Sequence, residues 1–291
     1  MDIDTITSYR RATTRTDLAL APGEVLLAGG TWLMSEPQPG ATGFVDLTSL
    51  AWPALEVSAG GLRIGATCTI AQFVAWAEGR VTDAPPPREW TALSIVPDAA
   101  NALLASFKIW NTATVGGNVC RSFAAGAMVS LAAGLDGTAV VWTPGGGERR
   151  LPVAELVTGN GTNSLGSGEV LRAIELPAHA LRSRALLRKI ALAEHGRSGA
   201  VVTGRIDPDG AAVFAITAAT LTPVVLRYVG IPDAASLAGH VASAPGYHTD
   251  PLGAADWRRG VAGVLAERIR AELEAETGAE SEAQFEGEGT A

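Results

Sequence analysis

The stretch Thr112–Cys120, TATVGGNVC, sets two adjacent glycines between a β-branched run and an asparagine. A second pair stands earlier in the chain, in Leu27–Thr31, LAGGT. A glycine pair after a strand has two readings. It can be a tight turn that needs positive φ. Or it can bring consecutive backbone N–H groups against a phosphate, with no Cβ in the way. Three features here favour the phosphate. Both pairs follow a β-type run. Both end in a hydrogen-bonding side chain, Thr31 in one and Asn118 in the other. The second also leads into a helical stretch, Ala124–Leu135, whose N-terminus favours an anion. Two such loops suit a diphosphate, which needs donors from both sides. The fingerprints GxGxxG and GxxxxGK[ST] are absent, which disfavours a Rossmann-type or P-loop site.

Composition bounds the rest. The 291 residues are 47% hydrophobic and 18% charged, as expected of a globular chain with a sizeable core. No apolar run reaches the roughly 18–20 residues that span a bilayer. The start, MDIDTITSYRR, lacks a secretory apolar core, so a cytoplasmic protein is expected. The net charge is −8, and −6 of it falls between Glu267 and Ala291. The body is nearly neutral and offers no basic stripe for nucleic acid. Cys68 and Cys120 provide neither a disulfide framework nor a metal-ligand pair. The four histidines, His179, His195, His240 and His248, are scattered, and none stands at metal-ligand spacing. His195 comes nearest to an active-site candidate, although its loop setting reads as surface. Lys108 and Lys189 are the only lysines.

Short β-type runs appear at Val25–Ala28, Gly43–Leu47, Leu62–Ala66, Ala139–Trp142 and Val170–Leu176, separated by turn signals. Helices are predicted over Ile70–Ala77 behind the N-cap Thr69, over Pro97–Phe107, and over Ala124–Leu135. The last is small and apolar nearly all round, which suggests close packing against backbone. The pattern breaks at Pro177–Arg184, where a domain boundary is placed. Strands follow at Leu186–Ile190, Ala200–Ile206 and Ala211–Thr217. A closing helix is expected from Asp256 to Glu276, with Trp257, Val261, Val264, Leu265, Ile269 and Leu273 as its apolar stripe. Residues 279–291 read as a disordered acidic tail.

In order, the blocks LAGGTWL, GFVDLTSL, LRIGATCTIAQF, WNTATVGGNVC and GEVLRAIELP resemble the FAD-binding medium subunit of molybdenum hydroxylases. This is the carbon monoxide dehydrogenase and xanthine dehydrogenase family. LLRKIALAEHGRSGAVV and DWRRGVAGVLAERI extend the resemblance over about residues 3–275. It implies an α+β fold: a two-lobed FAD-binding (PCMH/vanillyl-alcohol-oxidase-like) domain and then a C-terminal α/β domain of the CO dehydrogenase flavoprotein type. The lobes would be about 1–55 and 56–177, and the C-terminal domain 178–278.

By the same resemblance FAD lies extended between the lobes. Ala28, Gly29, Gly30, Thr31 and Trp32, with Thr114, Val115, Gly116, Gly117 and Asn118, would carry its diphosphate and ribityl chain. Leu171 would touch the flavin ring, and Lys189 would lie near it. The implied partners are a large molybdenum-cofactor subunit and a small iron–sulfur subunit, in a dimer of heterotrimers. The chain would take electrons from the clusters and pass them to NAD, a quinone or oxygen.

The sequence departs from the family in three places. Trp32 stands where relatives have a small polar residue. An Asp that contacts the cofactor in relatives falls on Ala127, and a later Pro falls on Ser130. Phe123 and Trp110, beside the second loop, read as core aromatics or as borders of the flavin. Two alternatives stay open. One is a stand-alone flavin oxidase or reductase, for which Cys120 is the one residue near a loop able to attach flavin covalently. The other is a scaffold with a weakened flavin site.

Overall fold

The computed structural model describes residues 3–81, 84–102, 107–193 and 196–288; for Phe107 and residues 278–288 only the backbone is considered. His195 lies outside the described residues.

The N-terminal part opens with β1 (Ser8–Arg11), β2 (Glu24–Leu27) and β3 (Gly43–Asp46). They form a parallel sheet in the order β1-β3-β2. Next come β4 (Leu55–Ser58) and β5 (Gly61–Gly65), and a helical layer: α1 (Ile70–Ala77), α2 (Val96–Ala102), α3 (Phe107–Trp110), α4 (Val115–Arg121) and α5 (Ala127–Gly134). The chain then returns through β6 (Thr138–Trp142), β7 (Glu148–Pro152), α6 (Val153–Leu156), the ladder β8 (Val157–Gly159) with β9 (Thr162–Asn163), and β10 (Val170–Pro177). The second sheet is antiparallel, in the order β4-β5-β10-β6-β7. Thr69 caps α1 as expected: its hydroxyl accepts from the Gln72 amide, and the Gln72 side chain accepts from the Thr69 amide.

Past α7 (Ala178–Leu181), β11 (Arg184–Ile190), β12 (Ala200–Ile206), β13 (Ala212–Thr217) and β14 (Val224–Tyr228) build an antiparallel sheet in chain order. α8 (Ala234–Ser243) and α9 (Ala255–Glu288) pack on one face of it. α5 packs on the other. All eight residues of α5 are buried, which fits its small, apolar composition. A Cβ on Gly134 would lie 2.6 Å from Thr203 Cγ2, so the helix can approach β12 closely only with glycine there. Ser130, where relatives carry Pro, instead pairs with Thr217 at 2.6 Å between the hydroxyls.

The closing helix departs from expectation twice. Val264 is half exposed, and the buried stripe is Ala262, Leu265, Ala266, Ile269 and Leu273, because the helix is rotated about one position from the expected face. The backbone also stays helical through Glu288, where a disordered tail from 279 was expected. Propagating an existing helix costs little, and Glu, Ala and Gln are good helix formers. Among the described residues no helix is long and apolar enough to cross a membrane.

A buried charge cluster joins the two halves of the molecule. Arg205 on β12 is fully buried. It donates to Asp207 at 2.7 Å, to Asp136 just past α5, and to the Gly134 carbonyl at the helix end. Asp136 also accepts from Arg227 at 2.6 Å, with His179 at 3.4 Å. Burial would raise the Asp136 carboxyl, but hydrogen bonds and charge from Arg227 and Arg205 outweigh it and hold the group down at about 2.

Two outcomes follow for stability. Arg205→Met strands two carboxylates without their buried cation and should cost about 3–5 kcal/mol in urea unfolding; an unchanged midpoint would contradict the role given to Arg205. The Asp136 carboxylate stabilises the fold fully above its unfolded value near 4. That contribution, on the order of 2 kcal/mol, is lost as pH falls towards 2. Urea midpoints between pH 5 and 2 should therefore fall less steeply in Asp136→Asn than in the parent.

Candidate functional site

Between the two sheets and α4 lies a cavity of about 560 Å³, within the usual range for cofactor sites. Both glycine pairs line it. The first pair meets the segment just before the second: a Cβ on Gly29 would collide with the Thr112 carbonyl and lie 3.1 Å from Ala113 Cα. The first lobe is thus pressed backbone to backbone against the turn between α3 and α4.

The two pairs do different work. The first is an open turn. Gly30 has φ +68°, and its carbonyl accepts from the Met34 amide at 2.9 Å. Among the described residues, the amides of Gly29, Gly30, Thr31, Trp32 and Leu33 have no protein acceptor, and all five residues line the cavity. Five consecutive unpaired donors are unusual in a folded chain and fit an anionic group.

The second pair corrects the expectation of a matching loop. Gly116 and Gly117 lie inside α4, behind the N-cap Thr114. The Gly117 amide donates to Thr114 Oγ1 at 3.0 Å, the Val115 amide to the Cys68 carbonyl at 2.8 Å, and the Gly116 amide to the Ala66 carbonyl at 3.0 Å. These donors are consumed in fixing α4 to the end of β5. A Cβ on Gly116 would lie 2.6 Å from the Ala66 oxygen, so this glycine is required by close approach and not by φ. Asn118 Oδ1 accepts from the Met128 amide at 2.9 Å and so caps α5. Gly126, at the N-cap of α5, also lines the cavity.

Of the twelve residues expected at the cofactor, ten line the cavity: Ala28 to Trp32, Thr114, Gly116, Gly117, Asn118 and Leu171. Val115 does not; it is buried in the core beneath α4. Lys189 does not either, and its ammonium donates to the Asn101 carbonyl at 2.7 Å. Ala127 is fully buried behind the wall, so the position of the family's Asp is an apolar one here. Trp110 stays with the core cluster, whereas Phe123 lines the cavity. Cys120 lines it too, with its thiol pushed up to about 12 by burial.

The sequence reading did not select Arg121. Its guanidinium lies between the rings of Trp32 and Phe123, 3.9 and 4.0 Å from their centres. A second cation, Arg197, lies 5.7 Å from the Phe123 ring. Glu169, which also lines the cavity, is already bound by both nitrogens of Arg149 at 2.7 Å. The signal available in the sequence was a single cation four residues past the glycine pair; its aromatic partner Trp32 is remote in the chain.

The sequence profile of the FAD-binding domain in molybdopterin dehydrogenase matches residues 7–179, more than half the chain. The chain belongs to this family, whose members are oxidoreductase components that bind FAD. No curated protein matches it. Among solved structures it is similar to quinoline 2-oxidoreductase from Pseudomonas putida 86, with 22% identity, 91% of this chain and 96% of that chain covered, and a TM-score of 0.74. It is also similar to carbon monoxide dehydrogenase from Hydrogenophaga pseudoflava, at 19% identity, with 93% and 98% covered and a TM-score of 0.75. Reconstituted CO dehydrogenase from Oligotropha carboxidovorans gives 19%, 91%, 98% and 0.76. At these identities the neighbours establish the fold: the two-lobed FAD-binding type followed by the C-terminal domain.

The contact between the lobes is testable by adding one methyl group. Gly29→Ala should lower stability by about 1–3 kcal/mol, since neither backbone can yield freely. Gly40→Ala, in open space, should stay within about 0.5 kcal/mol. Thermal melts of the two variants side by side make the comparison, and equal shifts would refute the contact.

Proposed function

We propose that the chain is the FAD-carrying electron-transfer subunit of a multi-subunit molybdenum hydroxylase. The observation that carries this reading is the run of unpaired amides from Gly29 to Leu33 in a cavity shared with α4. These donors would hold the cofactor's diphosphate. The remaining NH₂ of Asn118 would add a donor, and Leu171 would supply an apolar wall to the flavin. Bound FAD supplies a redox centre that joins one-electron and two-electron partners. The protein's own share is to bind the cofactor, orient it and shield it. Lys189, held at the Asn101 carbonyl, is left out of this assignment.

In this reading residues 1–177 form the FAD-binding unit and 178–278 the C-terminal one. A large subunit with the molybdenum cofactor would oxidise the substrate, and a small subunit would relay electrons through iron–sulfur clusters. This chain would deliver them to NAD, a quinone or oxygen, and the assembly would be a dimer of heterotrimers.

Covalent attachment of flavin, the mark of the stand-alone alternative, has no support at Cys120. With its thiol pushed up to about 12, it is almost wholly protonated near neutral pH and a poor nucleophile.

The purified chain should take up FAD and show flavin absorbance, and denaturation should release all the colour into the filtrate. A chain that stays colourless after incubation with FAD sinks the proposal. Colour retained on the denatured protein would transfer the chain to the stand-alone class.

A further inference from the structure

Arg121 is a cation without a counter-charge. Its Nη1 reaches only the Gly161 carbonyl, at 3.3 Å, and its Nε is buried with no partner. Among the described residues no carboxylate stands within ion-pair distance of it. Glu36 acts on it only through space, and Glu169 is taken by Arg149. Burial shifts the guanidinium's pKa down from its ordinary value, the expected sign for a partly desolvated cation lacking a partner. The rings of Trp32 and Phe123 fix its plane on both sides, so little side-chain entropy remains to be lost on binding. The same cavity wall lacks the donors that the second glycine pair was expected to offer, because the Val115, Gly116 and Gly117 amides are consumed by protein acceptors.

We infer that Arg121 is the residue that neutralises the dinucleotide's diphosphate from the α4 side, opposite the open amides of Gly29–Leu33. This rests on the proposed FAD site and assigns it a residue that neither the glycine motifs nor the fold points to. A planar fork of donors matches a phosphate oxygen pair, and in a sheltered cavity such a charge-assisted bond is among the stronger ones. The stack also gives Trp32 a purpose: it holds the guanidinium where relatives of this sequence pattern have a small polar residue. Arg197, 5.7 Å from the centre of the Phe123 ring, adds positive potential to the same cavity.

The test compares ligands that differ in the diphosphate. The full chain, as parent, Arg121→Met and Arg121→Lys, is titrated with FAD, ADP and riboflavin, with thermal melts confirming folding. Arg121→Met should weaken FAD and ADP by about 10- to 100-fold and leave riboflavin within about twofold. Arg121→Lys should recover part of the loss, since it keeps the charge without the fork. Equal weakening of FAD and riboflavin would assign Arg121 a merely structural role and overturn the inference, as would unchanged FAD affinity in Arg121→Met. Should Arg121→Met fail to fold, Arg121→Lys alone decides by the same FAD-to-riboflavin comparison. A parent chain that binds no FAD would instead overturn the site itself, so the two failures are distinct.

Discussion

Two backbones approach so closely at Gly29 and Thr112–Ala113 that neither can carry a side chain between them. That contact joins the parallel three-stranded sheet to the helical layer of the second lobe. Because β2 ends just before it and α4 starts just after it, the contact also fixes the width of the cavity. Gly116 repeats the constraint from the other side, seating α4 on Ala66 at the end of β5. Glycine at these positions acts mainly through absent volume. Within the two pairs, conformational freedom is needed at Gly30, where φ is +68°.

Large parts of this arrangement were legible in the sequence. Thr69 with Gln72 marks the start of α1 because the capping box is local chemistry. The small, apolar run over Ala124–Leu135 announces a helix packed closely against backbone, and the helix found within it, Ala127–Gly134, is buried at every residue. Strands with apolar runs, such as β5 and β10, were readable to within a residue or two. The strands that escaped, β1, β4, β7, β14 and the two-stranded ladder β8–β9, are all sheet edges. The first three carry Arg, Glu and Ser in place of an apolar run, as edges exposed to water require.

The site was legible by position but not by role. Sequence shows that glycine pairs exist; it does not show which acceptors their amides meet. Gly116 and Val115 bond to Ala66 and Cys68, some fifty residues away, and only the folded chain brings those carbonyls near. Arg121 was hidden for a similar reason. Its character comes from Trp32 in the other lobe, and a cation between two rings has no local signature. Arg172 shows the same effect: it sits at the irregularity in β10, where the register with β6 shifts, and packs over Trp52 and Trp142 with Nη1 unpartnered. Most arginines lie at the surface, so neither residue stands out in the sequence.

Ala127 bears on whether the site could be a relic kept for its shape. An acid lost from a cavity wall leaves a gap or an exposed donor. Neither is found here. Ala127 is fully buried, the Met128 amide next to it is taken by Asn118, and Ser130 has found Thr217. This stretch is packed as core. Removing a carboxylate also lowers the negative charge beside the cavity, which makes an anionic ligand easier to hold. Meanwhile two costly features remain among the described residues: five amides without acceptors and a desolvated guanidinium with no carboxylate in ion-pair contact. Each lowers the stability of the empty protein, and each would be relieved by the diphosphate proposed for this cavity. A scaffold would gain stability by losing the unpaired cation, through an ordinary substitution at Arg121. Their presence together in one cavity argues for a chain that still holds its cofactor.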